Sequence, residues 1–405
     1  MRIAMVSEHA SPLAALGGVD AGGQNVYVAR LSEELARRGH DVTVYTRRDT
    51  TGLPDRVALP GGAMVEHVPA GPPKPIPKDE LFPHMPAFGA YLARVWESGP
   101  PDAVHAHFWM SGLAARTGAR PHGLPVVQTF HALGTVKRRH QGHEDTSPGE
   151  RLGVERQLGR GCARVLATCT DEVLELADMG IPPRRVSVVP CGVDVNHFRP
   201  GVPAADTPAR QEPHRLLACG RLVRRKGYDQ AIRALTRIPD TELVVAGGPP
   251  PELLGAEPEA RRLLDLADRL GVADRVRLLG ATDPARMPAL IGSADAVLCT
   301  PTYEPFGIVP LEAMACGVPV VATDVGGHRD SVADGVTGRL VAVGDPEATA
   351  ETVGALLADD RLRRRMGVAG RERALARYTW QRVADGVEEV YQRVTACDET
   401  PSEVA

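Results

Sequence analysis

Along the chain, short apolar runs alternate with longer stretches in which apolar positions recur every third or fourth residue. Those are the periods of buried strands and amphipathic helices taken in turn. Arg2 to Ser7 reads as a strand, Gln24 to Arg38 as a helix closed by Gly39, and Asp41 to Thr46 as a second strand. Further strands are predicted at Ala103 to His107, Val126 to Phe130, Val165 to Thr168 and Val186 to Pro190. The pattern lapses from Arg199 to Pro213, where four prolines fall in a stretch without periodicity that reads as an interdomain linker. Alternation then resumes, with strands at Arg215 to Cys219, Glu242 to Ala246, Val276 to Leu279, Ala296 to Cys299 and Val318 to Thr323. From Asp359 to Val394 the chain is rich in arginine and alanine and helical in period, with Trp380 as a packing anchor.

Strand and helix repeated in this way predict an α/β fold of two Rossmann-like, doubly wound parallel-sheet domains. The expected boundaries are 1–198 for the first domain, 199–213 for the linker, 214–380 for the second domain and 381–405 for a terminal helix and tail. In such sheets ligands lie beyond the carboxyl ends of the strands, so two facing units predict a cleft, with the chemistry in loops that follow strands.

The length of 405 residues agrees with two domains, because a single core stops growing near about 250–300 residues. Hydrophobic residues make up 43% and charged residues 24%, which excludes a disordered chain and a multi-span membrane protein. The 47 basic and 51 acidic side chains nearly cancel, so no overall field recruits nucleic acid or an anionic membrane, and any anion site is local. No run reaches the ~20 apolar residues of a membrane span, and none has signal-peptide character, so the expected location is the cytoplasm. The seven cysteines lack the paired spacing of a zinc site and read as buried small apolar residues.

Only four lysines occur, Lys74, Lys78, Lys137 and Lys226, so each is informative. Lys226 closes the run Gly220-Arg221-Leu222-Val223-Arg224-Arg225-Lys226-Gly227 between a strand and a helix. There Arg221 and Lys226 can neutralise a departing diphosphate, although a solvated basic turn fits the same run. After the first strand, Gly17, Gly18, Gly22 and Gly23 lead into the helix at Gln24. Glycines ahead of a helix N-terminus can cradle phosphate, and a flexible loop fits the pattern equally. In Pro301 to Gly317, Glu304 lies in a loop after a buried strand and Glu312 lies in a short helix starting near Ile308. Carboxylates repel phosphate but accept well from sugar hydroxyls, so Glu312 suits a ribose and Glu304 a transferred sugar. His105 and His107 share one face of a strand, with His131 after the next; without a third ligand at useful spacing, no metal site is assigned.

With these residues in view, the chain resembles the retaining family 4 (group 1) glycosyltransferases of GT-B fold. The resemblance is carried by Asp20-Ala-Gly-Gly-Gln-Asn25, Val104-His-Ala-His-Phe-Trp-Met-Ser-Gly112, Pro190-Cys-Gly-Val-Asp194, Gly220-Arg221 with Lys226, and the Glu-x7-Glu pair Glu304 and Glu312. It extends over nearly the whole chain and is greatest toward sucrose-phosphate synthases and the D-inositol-3-phosphate N-acetylglucosaminyltransferases of mycothiol synthesis.

The resemblance implies a catalytic group of His131, Arg221, Lys226 and Glu304. It implies donor contacts from Gly22, Gly23, Arg221, Lys226, Glu304, Phe306, Gly307, Ile308 and Glu312. For the acceptor it points to Asp20, Asn25, Lys78 and the position of Phe108. Lys137 and Arg151, with Arg138 and Arg139, supply further positive charge there. Where the mycothiol enzymes carry a tyrosine and a threonine, this chain has Phe108 and Ala132.

The expected activity is transfer of a hexosyl group, with retention, from a UDP- or GDP-sugar to a small polar, phosphorylated or cyclitol-type acceptor. No cofactor beyond the donor is required, no Asp-x-Asp metal clamp is present, and metal-independent catalysis follows. No nucleic acid or integral membrane partner is expected, and a homodimer is allowed. A nucleotide-sugar epimerase or hydrolase on the same scaffold, and a silent nucleotide-sugar binding protein, are the competing readings.

Overall fold

The computed structural model describes residues 1–14, 22–203 and 207–396. The chain forms two compact units. One takes in the chain up to Pro190 and regains it at Trp380, and the other runs from Cys191 to Thr379.

The first unit is built on an eight-stranded sheet. Its strands are β1 (Arg2–Val6), β2 (Asp41–Arg47), β3 (Arg56–Ala58), β4 (Met64–Val68), β5 (Ala103–His107), β6 (Val126–Thr129), β7 (Arg164–Ala167) and β8 (Val186–Val188). They run in the order β3-β4-β2-β1-β5-β6-β7-β8, all parallel except β3 against β4. The order reverses between β1 and β5, the switch point at which a doubly wound sheet opens a site. Phe88, Leu92, Trp96, Trp109 and Phe130 belong to the core of this unit.

The second unit has β9 (His214–Cys219), β10 (Thr241–Ala246), β11 (Val276–Gly280), β12 (Ala296–Cys299), β13 (Val320–Thr323) and β14 (Gly338–Val341). They form one parallel sheet in the order β11-β10-β9-β12-β13-β14. Here the switch lies between β9 and β12. Beneath this sheet the Arg215 guanidinium donates to Glu242 at 2.7 Å, with both side chains buried. Leu216, Ile232, Leu235, Leu263 and Val353 belong to its core.

Two parallel α/β sheets agree with the expected fold. β3, β4 and β14 were not expected. In β4 the apolar run is broken by Glu66 and His67, yet both are buried, Glu66 accepting from the Tyr91 hydroxyl at 3.0 Å and His67 bonding the Pro54 carbonyl at 2.7 Å. The proline-rich stretch read as a linker lies, where described, within the second unit. Its Arg210 donates to Asp295 at 2.9 Å, and its Pro208 carbonyl accepts from Arg215 at 2.8 Å. The terminal helix Trp380–Ala396 packs on the first unit, where Arg38 donates to Asp385 and Glu388. Among the described residues no helix is long and apolar enough to cross a membrane.

Candidate active site

In the second unit the site begins where β9 ends. The chain passes Gly220 and Arg221, makes a tight turn over Arg224–Lys226, and enters the helix Tyr228–Leu235. Gly227 has φ +65, and a Cβ there would collide with the Thr300 carbonyl oxygen. Only glycine lets this turn press against the end of β12, where the Thr300 hydroxyl donates to the Gly227 carbonyl at 2.8 Å. That approach carries Lys226 to the loop after β12, and its Nζ donates to Glu304 Oε2 at 2.6 Å. Both side chains are largely buried, at 17% and 11% exposure.

Burial alone would push the Glu304 carboxyl up, but Lys226 and Arg225 outweigh it and hold the group down at about 2. Glu312 sits in the helix Ile308–Ala315, begun by Gly307 at φ +73. Burial pushes its carboxyl up to about 8, only partly countered by Lys226. Two glutamates eight residues apart therefore differ in charge at neutral pH, because one has a cation at contact distance. Gly327 N–H donates to the Glu304 carbonyl at 2.8 Å, tying this loop to the one after β13.

Arg221 is exposed at the mouth of the turn, while Phe306 and Ile308 flank Gly307 on the loop and first turn that carry the glutamates. Arg225 was not singled out from the sequence, where it looked like one charge in a basic run. Its guanidinium lies 5.3 Å from the Tyr303 ring centre, and its Nη1 is buried without a hydrogen-bond partner. His328 was also missed; its Nδ1–H donates to the Thr323 carbonyl at 2.9 Å, and burial keeps it neutral to lower pH than usual.

In the first unit the corresponding edge is formed by the ends of β1, β5 and β6. Asp20, Gly17 and Gly18 lie outside the described residues. Gly22 N–H donates to Asn25 Oδ1 at 3.0 Å, and Asn25 Nδ2 donates to the Ser11 carbonyl at 3.0 Å. The Asn25 side chain thus shapes the turn ahead of the helix Gly23–Arg37.

Phe108 has φ +80 and its ring is almost wholly buried. Lys78 Nζ lies 5.7 Å and Arg151 Cζ 5.0 Å from that ring's centre, within range of a cation–π contact. Arg151 is buried and donates from Nε to Glu155 at 2.8 Å and from Nη1 to Ser147 at 3.1 Å. Lys137 Nζ lies 2.9 Å from Asp145, 2.9 Å from Ser147 Oγ and 3.8 Å from Asp79. Lys78, Lys137 and Arg151 are thus gathered around Phe108 and Ser147, each already facing a carboxylate or the aromatic ring. Arg139 points elsewhere, pairing with Glu175 at 2.6 Å.

The three histidines form a buried row. His105 Nδ1 is bonded to the Tyr391 hydroxyl at 2.7 Å and Nε2 to Thr129 Oγ1 at 2.8 Å. His107 Nδ1 and His131 Nε2 share a hydrogen bond of 3.0 Å, and their rings stack at 5.2 Å. His131, just past β6, has φ +62. Burial lowers all three pKa values below the ordinary histidine range, so the rings are neutral at pH 7.

Residues 21–197 match the family described as Glycosyltransferase Family 4, and residues 204–373 match Glycosyl transferases group 1. A D-inositol 3-phosphate glycosyltransferase of Acidothermus cellulolyticus is 38% identical over 411 residues, covering 98% of this chain and 91% of its own. The chain belongs to the family 4 glycosyltransferases. A relative of the same description from Corynebacterium diphtheriae is 36% identical over 96% of this chain and 94% of its own. Among solved structures, the sucrose-phosphate synthase of Thermosynechococcus elongatus superposes with a TM-score of 0.88 at 30% identity, covering 98% and 99% of the two chains. Anabaena HepE, solved with UDP and glucose, shares the GT-B fold at a TM-score of 0.75 and 20% identity, over 97% of this chain and all of its own.

Proposed function

We propose that this enzyme transfers a hexosyl group from a nucleotide-diphosphate sugar, of the UDP or GDP type, to a small polar acceptor of cyclitol or sugar-phosphate type. The observation that carries the reading is the Lys226–Glu304 contact of 2.6 Å beside a half-buried Glu312, at the mouth of a parallel sheet. Lys226, with Arg221, neutralises the charge that grows on the diphosphate as the glycosidic bond breaks. Glu304 and the backbone around Phe306, Gly307 and Ile308 accept from and donate to the sugar, and Glu312 accepts from the ribose hydroxyls. Gly23 lends its backbone amide to phosphate at a helix N-terminus, in the turn that the Gly22–Asn25 hydrogen bond shapes.

His131 contacts the transferred sugar. The reaction retains configuration by a front-face route in which the departing phosphate oxygen takes the acceptor proton. Lys226 and Arg221 supply the charge stabilisation that a divalent ion gives elsewhere, so the reaction needs no metal.

For the acceptor, the support is the full-length likeness to enzymes named for D-inositol 3-phosphate, together with Lys78, Lys137 and Arg151 around Phe108. The test is UDP or GDP release on adding D-inositol 3-phosphate or fructose 6-phosphate to the enzyme with a UDP- or GDP-hexose, in EDTA. Acceptor-dependent release with a new glycosidic product, of the same anomeric configuration as the donor, is expected. Release of free sugar alone, indifferent to every acceptor, contradicts the transfer reading.

A further inference from the structure

Just past β1 the chain turns at the edge of the first sheet. The Ser7 hydroxyl donates to the Ala10 carbonyl at 2.9 Å, and the Glu8 carbonyl accepts from Arg47 N–H at 3.1 Å. The turn brings the side chains of Glu8 and His9 together, with His9 Nδ1 2.7 Å from Glu8 Oε1. The other carboxyl oxygen, Oε2, accepts from the Ser111 hydroxyl, whose oxygen accepts from Glu8 N–H at 2.9 Å. The direction of the His9 bond follows from these partners. The single hydroxyl proton of Ser111 is committed to Oε2, and an imidazole ordinarily holds a proton about a hundredfold more tightly than a carboxylate does. The proton between the two side chains therefore belongs to His9, and Nδ1–H donates to the Glu8 carboxylate.

The Glu8 side chain is wholly buried and cannot reach a ligand, whereas that of His9 is 10% exposed. The His9 ring stands edge-on to Phe108, with centres 4.9 Å apart and planes at 71°. This is the ring that Lys78 and Arg151 also approach. Among the described residues nothing hydrogen-bonds to His9 Nε2. We infer that Glu8 is a positioning residue of the acceptor site: by binding the Nδ1 proton it holds the His9 ring against Phe108 and leaves Nε2 as the atom offered to the acceptor. This rests on the proposal that the residues around Phe108 receive the acceptor. In the neutral ring Nε2 carries a lone pair, suited to a hydroxyl of a cyclitol or hexose. Lys78 and Arg151, on the same aromatic ring, suit a phosphate of that molecule.

The direct test is a long-range 1H–15N correlation on enzyme carrying ring-15N histidine, with the His9 signals identified by their loss in His9→Asn. The expected wild-type spectrum shows His9 protonated on Nδ1, and a His9 without a proton there overturns the inference. Glu8→Met removes the carboxylate and is expected to move the His9 proton towards Nε2. Glu8→Gln keeps a side-chain oxygen for Nδ1–H and is expected to hold the wild-type signal.

In UDP release from UDP-glucose with D-inositol 3-phosphate, Glu8→Met is expected to raise KM for the acceptor about 3- to 10-fold, the worth of one hydrogen bond, with KM for UDP-glucose within about twofold. Glu8→Gln should recover most of that loss. Equal impairment of the Met and Gln variants means that Glu8 only supports the fold, and overturns the inference, as does an unchanged acceptor KM in Glu8→Met. Absence of acceptor-dependent release in the wild type would instead refute the acceptor reading, and the histidine spectrum, which needs no substrate, tells the two failures apart.

Discussion

Replacing Lys226 with methionine removes the cation from Glu304 while keeping the length of the side chain. In the wild type the Glu304 carboxyl is held at about 2 against an ordinary 4.5, and the side chain is only 11% exposed. At about 1.4 kcal/mol per unit, that depression corresponds to about 3 kcal/mol of stability at neutral pH, shared between Lys226 and Arg225. Because the folded value lies below the unfolded one, this stability is complete above pH 4.5 and is lost as the pH falls from there towards 2. By pH 3.5 about 2 kcal/mol remains.

Without Lys226 the burial penalty dominates and the depression disappears. Lys226→Met should therefore destabilise the second unit by about 2–3 kcal/mol at pH 7.5 and by about 1 kcal/mol less at pH 3.5. Adding Glu304→Gln should return most of the loss, since a neutral amide needs no cation. The assay is urea unfolding of the four species of the double-mutant cycle at both pH values. A coupling energy near zero at pH 7.5, or one that does not shrink in acid, refutes the argument that Lys226 sets the charge of Glu304.

Glu312 works in the opposite sense. Its folded value, about 8, lies above the unfolded one, so the group favours unfolding progressively as the pH rises from 4.5 to 8. Glu312→Gln should flatten that slope in thermal unfolding. If the ionised form receives the ribose, UDP affinity measured by calorimetry should rise from pH 7 to 8.5 in the wild type and stay level in the variant. Gly227→Ala introduces a Cβ against the Thr300 carbonyl at φ +65, and should cost about 2–4 kcal/mol in urea unfolding and abolish measurable UDP binding. Arg151→Met strands the buried Glu155 and should destabilise the first unit by about 3–5 kcal/mol, whereas Arg151→Met with Glu155→Leu should be substantially less harmful, as urea melts would report.

Most of the sheet was readable because buried parallel strands are continuous apolar runs, as in Leu243 to Ala246 or Val320 to Ala322. β4 escaped because its Glu66 and His67 are satisfied by Tyr91 and the Pro54 carbonyl, partners that no local pattern reveals. The prolines between Arg199 and Pro213 suggested a linker, but turn chemistry reports local conformation and not which unit a segment packs on. Similarly, the return of Trp380–Ala396 to the first unit depends on tertiary partners such as Arg38 and Glu388.

In the site, the Lys226 turn and the two glutamates were legible as residue types after strands. Their opposite pKa displacements were not, since these depend on a 2.6 Å contact made by one glutamate and not by the other. Arg225 was hidden in a basic run. The histidines at 105, 107 and 131 were visible as strand-end residues, but their pairing requires the register that sets His105 beside Val127 and His107 beside Thr129.

The central claim is that a nucleotide-sugar donor is held by Arg221, Lys226, Glu304 and Glu312. Thermal unfolding of the purified enzyme with UDP, GDP and ADP, and then with the matching nucleotide sugars, in the presence and absence of EDTA, tests it most directly. The account predicts a rise in Tm with UDP or GDP that EDTA leaves unchanged and that Lys226→Met abolishes. No rise with any nucleotide, or one that Lys226→Met leaves intact, would contradict it.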